Sequence, residues 1–332
     1  MNGTHIDVVG LGHAIVDVIG RCEEEVLARL GSTKGHMRLV DAETAAHIYR
    51  AMGPAVEISG GSAANTMVGV ASLGGRAAFI GKVAGDEFGR IFAHDIRAAG
   101  VIYDTPAVGG AAATGRSLIL VTPDGERTMN TWLGVGPEIT AADIDPALIQ
   151  SAGIVYLEGY LFDRPQAKAA FHRAAEVATA AGRRVALTLS DSFCVERHRT
   201  EFLALIRTHV DVLFANEREI TALYETDSFD AAAERARQDA EIAVLTRSAE
   251  GSVILTGNTT IPVAADPVAE VVDVTGAGDL YAAGVLYALA RGHDLEFAGR
   301  LGSFAAAEVI GHLGARPASS LAVLAHRHGL LK

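Results

Sequence analysis

The sequence is poor in cysteine, in aromatic side chains and in basic residues. Its 332 residues include two cysteines, one tryptophan and 6% aromatic residues, and its net charge is −12. Cys22 and Cys194 lie far apart and in no metal-like spacing, which predicts two reduced thiols rather than a disulfide framework. Because no run of Lys or Arg forms a stripe, the chain lacks the electrostatic footprint of a nucleic-acid-binding protein.

Membrane and export signals are also lacking. No apolar run approaches the roughly 20 residues that a membrane-spanning helix needs. The first residues, MNGTHIDVVG, contain no basic segment followed by an apolar one, as a signal peptide would. These absences predict a cytoplasmic protein with small-molecule ligands and with neither nucleic acid nor membrane as a partner.

Several catalytic signatures are missing. No G-x-x-x-x-G-K-[ST] occurs, which excludes a P-loop enzyme. Gly10 and Gly12 begin a dinucleotide fingerprint, but Ile15 stands where its third glycine belongs, which argues against a nicotinamide-dependent dehydrogenase. The 12 histidines form no H-E-x-x-H, and the absence of G-x-S-x-G argues against a serine hydrolase.

What the sequence does contain is an alternation of short apolar runs with amphipathic stretches of ten to fifteen residues. Such an alternation predicts βαβ units and a mostly parallel sheet, hence an α/β protein. Strands are predicted at 6–9, 77–80, 154–157, 185–189, 212–214, 242–245 and 253–255, and helices at 42–52, 62–74, 86–99, 165–180, 196–208, 279–290 and 295–309.

Two regions break the alternation. Residues 117–121 and 127–133 flank Pro123-Asp124-Gly125 and predict a β-hairpin without a helix between its strands. Residues 14–20 and 37–40 also predict strands without a close helical partner. We interpret both as a small β lid, with elements at about 13–41 and 105–133 inserted in a single domain (1–332). An ordinary surface hairpin is the alternative. The β elements could also form a clasp between two subunits instead of a lid on one, so the protein is expected to be a monomer or a homodimer.

The sharpest motif runs from Asp273 to Asp279, DVTGAGD, and leads directly into the apolar stretch LYAAGVLYALA. Its two glycines permit a tight turn whose backbone N–H groups face one side, and the start of the following helix adds its positive dipole end. Together they predict an anion hole for a phosphoryl group in transfer. A carboxylate at such a site would repel phosphate unless it accepts a hydroxyl proton, so Asp279 is a candidate general base. The alternative is that Asp279 only caps the helix.

Two further motifs have ordinary structural explanations when each is taken alone. The Gly60-Gly61 pair lets a ligand lie against bare backbone, and Asn65 offers an amide to a hydroxyl group; a glycine turn capped by Ser62 is the alternative. Asn216 and Glu219 follow a predicted strand, where α/β sheets build their sites, and supply oxygen ligands suited to Mg²⁺. A solvated helix start is the alternative for that pair.

Asp17 is a fourth candidate. It lies in the apolar run AIVDVI, where a carboxylate is costly unless it is paired. The vicinal hydroxyls of a sugar would satisfy both of its oxygens.

In this order along nearly the whole chain, these motifs resemble those of the ribokinase-like (PfkB) carbohydrate and nucleoside kinases. Gly60-Gly61 with Asn65 is similar to the family's N-terminal signature. Residues 273–279 are similar to its C-terminal D-T-x-G-A-G-D signature, with Val274 in place of Thr. The resemblance implies a three-layer α/β/α sandwich with about nine strands and a small β lid.

The resemblance also implies roles for individual residues. Asp279 would be the catalytic base, and the amides of Gly276, Ala277 and Gly278 the anion hole. ATP and Mg²⁺ would be the cofactors, and dependence on a monovalent cation such as K⁺ stays open. The implied nucleotide-binding residues are Asn216, Thr246, Arg247 and Gly251, with Asn216 and Glu219 at the metal. The implied substrate pocket includes Asp17, Gly61 and Asn65.

Within the family, LEGYLF at 157–162, LTLSDSF at 187–193 and DVLFANEREI at 211–220 are similar to segments of adenosine kinases. That branch implies a purine held between an aromatic side chain near Tyr160 and Phe193 and an apolar lid residue, Trp132 or Leu133. His13 departs from this branch, which commonly carries Asn there. Core packing is the alternative for the aromatic residues.

The predicted function is therefore ATP-dependent phosphorylation of a primary hydroxyl, with adenosine as the first candidate acceptor. A sugar or sugar acid, such as ribose, fructose or 2-keto-3-deoxygluconate, is the second. A protein of the same fold that only binds a nucleoside or sugar, without catalysis, is the alternative from another class.

Overall fold

Two β-sheets organise the chain in the computed structural model, which describes residues 5–110 and 112–331. The strands are, in chain order, β1 (Ile6–Leu11), β2 (Ile15–Arg21), β3 (Met37–Leu39), β4 (Ala55–Gly60), β5 (Ala77–Ile80), β6 (Thr114–Val121), β7 (Arg127–Gly134), β8 (Ala152–Glu158), β9 (Arg184–Thr188), β10 (Val212–Asn216), β11 (Ile242–Thr246), β12 (Ser252–Thr256) and β13 (Thr259–Val263).

The α-helices are α1 (Glu24–Arg29), α2 (Ala42–Ala51), α3 (Ser62–Ser72), α4 (Glu87–Ala98), α5 (Pro146–Ser151), α6 (Pro165–Ala180), α7 (Ser192–His209), α8 (Glu217–Tyr224), α9 (Phe229–Asp239), α10 (Ala277–Ala290), α11 (Leu295–Ile310) and α12 (Leu321–Arg327). None of these helices is long and apolar enough to cross a membrane.

The larger sheet has, among the described residues, eight strands in the order β5-β1-β8-β9-β10-β11-β12-β13. The first six are mutually parallel, and β12 and β13 close one edge antiparallel. Side chains alternate between its two faces. Val8 packs on the side of α3, α10 and α11, whereas Val9 packs on the side of α6 and α7. Since both faces are covered by helices, the expected α/β/α sandwich is confirmed.

The smaller sheet has five strands in the described part of the chain, ordered β3-β7-β6-β2-β4. The predicted hairpin is present as β6 and β7, joined by a turn in which Gly125 has φ +86°. The segment predicted at 14–20 is β2, which pairs in parallel with β6 and antiparallel with β4. The sequence therefore predicted four of these strands and missed β4.

The predicted helices and strands of the core are present, with ends that differ by a few residues. For example, α4 begins after Asp86, whose carboxylate accepts from the Gly89 N–H, and ends before Gly100, which has φ +88°. Both are standard helix-end signals. Besides β4 of the smaller sheet, the elements that the sequence did not predict are short or polar: α1, α5, α8, α9, α12 and the edge strand β13.

Parallel strands have their carboxyl ends at one edge of the sheet. In this chain the segments that follow β1, β8, β9, β10 and β11 all begin at that edge. Ligand sites of α/β proteins lie outside this edge.

Candidate active site

A cavity of about 1170 Å³ lies between the carboxyl edge of the larger sheet and the smaller sheet. Pockets for one drug-sized ligand measure about 300–1,000 Å³, so this cavity has room for two small molecules side by side. It is lined by most of the residues that the sequence indicated: His13, Asp17, Gly61, Asn65, Leu133, Tyr160, Phe193, Asn216, Glu219, Thr246, Gly251, Gly276, Ala277, Gly278 and Asp279. Trp132 and Arg247 are the two exceptions.

Asp279 lies in the first turn of α10, with its carboxylate in the cavity. Ser62 Oγ donates to Oδ1 at 2.6 Å, and Asn65 Nδ2 donates to Oδ2 at 3.1 Å. Burial raises the pKa of Asp279 to about 6, although both hydrogen bonds act in the opposite direction. A carboxyl group with such a pKa is ionised at pH 7 and still basic enough to take up a proton.

The turn before Asp279 presents backbone N–H groups to the cavity. Gly276 has φ +82°, and a β-carbon there would lie 2.7 Å from the Cα and carbonyl oxygen of Ala315. The first amide to bond within α10 is that of Leu280, which donates to the Gly276 carbonyl at 2.9 Å. The Ala277 N–H donates to the Val274 carbonyl at 3.2 Å.

The amides of Gly276, Gly278 and Asp279, by contrast, donate to no protein acceptor in residues 5–110 and 112–331. Such N–H groups at a helix start attract anions. The structure therefore leaves a helix start open to a phosphoryl group. Of the three amides that the sequence analysis indicated, only that of Ala277 is engaged by the protein.

Asp273, the first residue of the DVTGAGD motif, holds this turn in place. Its Oδ1 accepts from the Thr275 N–H at 3.0 Å, and its Oδ2 accepts from the Gly314 N–H at 2.9 Å. Oδ2 also forms a buried ion pair with Arg127, the first residue of β7. This pair joins the smaller sheet to the turn, and sequence analysis did not identify Arg127.

Asp17 projects from β2 into the cavity. Burial raises its pKa to about 6, against the opposing effect of the positive charges of Arg316 and Arg127. Its carboxylate accepts no hydrogen bond from the described protein residues, and a β-carbon at Gly60 would lie 2.6 Å from it. A glycine at that position leaves the carboxylate accessible, as expected for a group that binds ligand hydroxyls.

His13 lies against a buried glutamate that sequence analysis missed. Its Nδ1 lies 2.9 Å from Glu158 Oε1, and its backbone N–H donates to the same oxygen at 3.2 Å. Glu158 Oε2 accepts from the Ala63 N–H at 2.8 Å, two residues after Gly61, which has φ +103°. Glu158 thus joins the segment after β1 to the start of α3. No local signal could have found it, because its partners lie 95 and 145 residues away.

Asn65 is engaged by the protein itself. Besides donating to Asp279, its amide accepts from Nε of Arg316 through Oδ1 at 3.2 Å. Arg316 lies in the segment before α12 and was also missed by sequence analysis. Both sides of the Asn65 amide are thus engaged by the protein, and its contact with a ligand hydroxyl stays a prediction.

Asn216 and Glu219 form a reciprocal helix cap at the start of α8. The Asn216 side chain accepts from the Glu219 N–H at 2.9 Å, and Glu219 Oε2 accepts from the Asn216 N–H at 3.0 Å. The pair forms a capping box at a helix start, but this start is not solvated as the alternative interpretation had it, because Glu219 is buried. Both side chains nevertheless line the cavity, and burial raises the pKa of Glu219 to about 7.

Thr246 ends β11, Gly251 directly precedes β12, and both line the cavity. Arg247 turns away from it: its guanidinium lies 4.4 Å from the ring centroid of Phe229 and forms ion pairs with Glu217 at 3.3 Å and Glu250 at 2.9 Å. The Arg247 side chain is therefore engaged by these neighbours and does not line the cavity, and the place of residue 247 in the turn under a nucleotide stays a prediction.

Tyr160 and Phe193 line the cavity, and Phe193 is 67% exposed. Core packing therefore does not explain Phe193. On β7 the side chains alternate, so Leu133 faces the cavity and Trp132 faces the opposite side, where its ring lies 5.5 Å from the guanidinium carbon of Arg116. Of the two apolar lid candidates, the geometry retains Leu133 and not Trp132.

Comparisons with known proteins agree with this geometry. Residues 41–321 match the family model "pfkB family carbohydrate kinase". The chain is 50% identical to the structure of adenosine kinase from Sinorhizobium meliloti, with a TM-score of 0.92 and coverage of 98% of this chain and 100% of that one. A probable sugar kinase from Rhizobium etli CFN 42 gives 49% identity, a TM-score of 0.93 and coverage of 99% and 100%. An uncharacterized sugar kinase from Archaeoglobus fulgidus is 31% identical over 75% of this chain and 97% of its own length.

The chain belongs to the PfkB family. It is a kinase of the carbohydrate and nucleoside class, which removes the alternative of a protein that only binds its ligand.

Kinases of this family use ATP, generally with Mg²⁺. In the described residues no three His, Cys, Asp or Glu side chains cluster as a metal cage would require. Mg²⁺ does not need such a cage, because it keeps several waters and binds one or two carboxylates plus phosphate oxygens. Glu219 has acceptor capacity beyond its two hydrogen bonds. Glu219 and Asn216 therefore fit Mg²⁺ held through water.

Proposed function

We propose that this kinase transfers the γ-phosphate of ATP to a primary hydroxyl of a nucleoside, with adenosine as the preferred acceptor. The observation that carries the proposal is the geometry at the start of α10. There the Asp279 carboxylate lies beside the unpaired N–H groups of residues 278 and 279, in a cavity with room for a nucleotide and an acceptor.

In this reaction Asp279 is the general base. It accepts the proton of the acceptor hydroxyl as that oxygen forms a bond to the γ-phosphorus, and the bond from this phosphorus to the β,γ-bridging oxygen breaks to release ADP. Backbone amides of residues 276–279 stabilise the charge on the transferred group, and Mg²⁺ supplies further neutralisation when bound. Asp17, Gly61 and Asn65 belong to the acceptor end of the cavity.

The nucleotide end would lie at β11. There Thr246 and Gly251 would bind ATP, and Asn216 with Glu219 would hold its metal. The smaller sheet acts as the lid of this single kinase domain. Its cavity face supplies apolar side chains to the acceptor site: Ile15, Met37, Leu39, Ile119, Met129 and Leu133.

These apolar side chains favour a nucleoside over a free sugar. A purine ring can stack on an aromatic side chain and fill an apolar surface, with stacking worth about 1–3 kcal/mol. Tyr160 and Phe193 are the aromatic side chains at this end, and Leu133 is an apolar partner on the lid. A free sugar, by contrast, would leave the apolar face of the lid uncovered. The likeness to the Sinorhizobium meliloti enzyme supports the same acceptor.

A sugar kinase is the second candidate. It is favoured by the accessible carboxylate of Asp17, which suits vicinal hydroxyls of any pentose or hexose, and by the sugar-kinase relatives. Free ribose or fructose would use Asp17 and Asp279 without the aromatic side chains.

A panel of acceptors distinguishes a nucleoside kinase from a sugar kinase. We expect adenosine to show a kcat/KM about tenfold or more above those of ribose, fructose and 2-keto-3-deoxygluconate, because a stacked base contributes about 1–3 kcal/mol and about 1.4 kcal/mol corresponds to a factor of ten. ADP release in a coupled assay measures this directly. Phe193→Ala should lower kcat/KM for adenosine and leave that for a sugar unchanged. A sugar that outcompetes adenosine would replace the proposed acceptor.

The pKa of Asp279 sets the acid limb of the rate profile. Since the base must be ionised, we expect kcat/KM to be constant above pH 7 and to fall below the pKa of about 6, tenfold for each further pH unit. Asp17 has a similar pKa, so protonation of both carboxyl groups would steepen the limb. A profile that stays flat down to pH 4.5 would contradict the role of Asp279.

A further inference from the structure

Arg316 lies beside the proposed base but touches it only through Asn65. Its Nε donates to Asn65 Oδ1 at 3.2 Å, and Asn65 Nδ2 donates to Asp279 Oδ2 at 3.1 Å. Three side chains from distant parts of the chain thus form one line of hydrogen bonds that ends on the Asp279 carboxylate.

The chemistry of the two outer groups fixes the orientation of the amide between them. A guanidinium can only donate, and an ionised carboxylate can only accept. If the amide were turned by 180°, its NH₂ group would face the N–H of Arg316 and its oxygen would face the oxygen of Asp279. Both contacts would then be repulsive, so Arg316 selects the rotamer in which Asn65 donates to the base.

The guanidinium is itself held firmly. Its Nη1 donates to Asp95 Oδ2 at 3.1 Å and also bonds to Ser59 Oγ. Asp95 in turn accepts from the Ser59 backbone N–H at 2.8 Å. Asp95 lies on α4, Ser59 on β4 and Asn65 on α3, so this anchor has parts from the core and from the smaller sheet.

The base also lies among several other titratable groups. Burial lowers the pKa of Arg316 to about 10, yet it stays positively charged at neutral pH and lowers the pKa of Asp17. The groups around Asp279 are Glu158, Tyr156, Tyr160, Asp17 and Arg316, with Arg127 next to Asp17. Removal of Arg316 therefore has two effects on Asp279, one through the orientation of Asn65 and one through charge, and a test must separate them.

We propose that Arg316 is a positioning residue for phosphoryl transfer, which orients the Asn65 amide so that it donates to the Asp279 carboxylate. This inference rests on the proposed role of Asp279 as the base. Asp95 and Ser59 hold Arg316 in place for this purpose.

The test is a titration of Asp279 that needs neither ATP nor acceptor. Protein with ¹³C-labelled Asp carboxyl groups is titrated by NMR, and the Asp279 signal is assigned by its loss in Asp279→Asn. We expect Arg316→Met to raise the midpoint for Asp279 by about one pH unit, since a hydrogen bond to the ionised form is lost. In an Asn65→Ala background the same replacement should shift the midpoint by less than a third of that.

The second measurement is the kcat of each variant, with an acceptor that the wild-type enzyme phosphorylates. Arg316→Met should lower kcat about fivefold at pH 6, where a midpoint raised from about 6 to about 7 leaves roughly a tenth of the base ionised instead of half, and should have little effect at pH 9, where the base is ionised in both proteins. Arg316→Lys keeps the charge but has a single nitrogen in place of the two that contact Asn65 and Asp95, so it should show most of the same loss of activity. Arg291→Met is the matched control, because Arg291 also pairs with an aspartate, Asp7 at 2.9 Å, but lies outside the cavity. It should leave kcat within twofold of wild type.

Equal midpoint shifts in the wild-type and Asn65→Ala backgrounds would overturn the proposal, as would Arg316→Lys with wild-type kcat. Either result would mean that Arg316 acts by charge alone. If Arg316→Met does not fold, Asp95→Asn replaces it, with a smaller shift expected in the same direction and no shift counting against the proposal. A wild-type protein that phosphorylates no acceptor would refute the proposed function, while the titration would still decide the inference.

Discussion

Replacement of Asp279 by Asn should lower turnover by about 10²–10⁴-fold or more. The replacement is nearly isosteric and keeps an oxygen that can accept from Ser62, but an amide cannot take up the hydroxyl proton. Because the amides at the start of α10 are backbone groups, ATP binding should persist. Steady-state kinetics with saturating acceptor, together with calorimetric titration of ATP, measures both parts of this expectation.

Stability provides the control for this variant. The pKa of Asp279 is about 6 in the folded protein against 3.8 for an ordinary Asp, so protonation of Asp279 stabilises the native state relative to the unfolded state. That contribution is fully present below pH 4 and is lost as the pH rises through 6. The variant should therefore melt at a higher temperature than wild type at pH 8, with the difference shrinking towards pH 4. Near-normal turnover in a variant with this melting behaviour would remove Asp279 as the base.

Replacement of Arg127 by Met should destabilise the protein by about 3 kcal/mol, near the lower end of the cost of breaking a buried ion pair. The loss leaves Asp273 buried and charged, although two backbone N–H groups still donate to it. Since Asp273 holds the turn at the start of α10, turnover should fall as well. Guanidinium unfolding followed by circular dichroism gives the change in free energy.

Arg207→Met is the matched control for that measurement. Arg207 binds Asp239 through two hydrogen bonds of 2.9 and 3.1 Å, but its side chain is 56% exposed. Exposed pairs contribute about 1 kcal/mol or less. If Arg127→Met cost no more than this control, the buried pair would not be the tie between the smaller sheet and the turn.

Local signals were sufficient for most of the fold. Asp86 and Gly100 mark the ends of α4, and Pro123-Asp124-Gly125 marks the turn of the hairpin, because caps and tight turns depend on a few neighbouring residues. The motif from 273 to 279 likewise contains both the turn and the helix start. Each was therefore predictable from a short window of sequence.

Two strands escaped prediction for physical reasons. The residues of β4, AVEISG, are few and largely exposed at one end, and their pairing with β2 is a long-range contact. In β13, Pro262 interrupts the strand pattern, and only its position at the sheet edge makes a proline acceptable there. Neither environment can be inferred from the local sequence.

The residues of the candidate site also divide into those that local motifs reveal and those that depend on long-range contacts. The residues within the motifs were found, whereas Glu158, Arg127 and Arg316 were not, because each acts on a partner 95 to 251 residues away. The face of a strand was equally hard to assign: Trp132 and Leu133 are adjacent, and only the register of β7 with β6 decides that Leu133 faces the cavity.

The most direct measurement is a crystal structure with ADP, Mg²⁺, adenosine and a fluoroaluminate that mimics the phosphoryl group in transfer. We expect the mimic at the start of α10, with the amides of residues 278 and 279 at about 2.7–3.1 Å from its fluorines and the acceptor oxygen at about 2.6–3.2 Å from the Asp279 carboxylate. A mimic bound elsewhere in the cavity, or an acceptor oxygen out of hydrogen-bond reach of Asp279, would contradict the proposed chemistry.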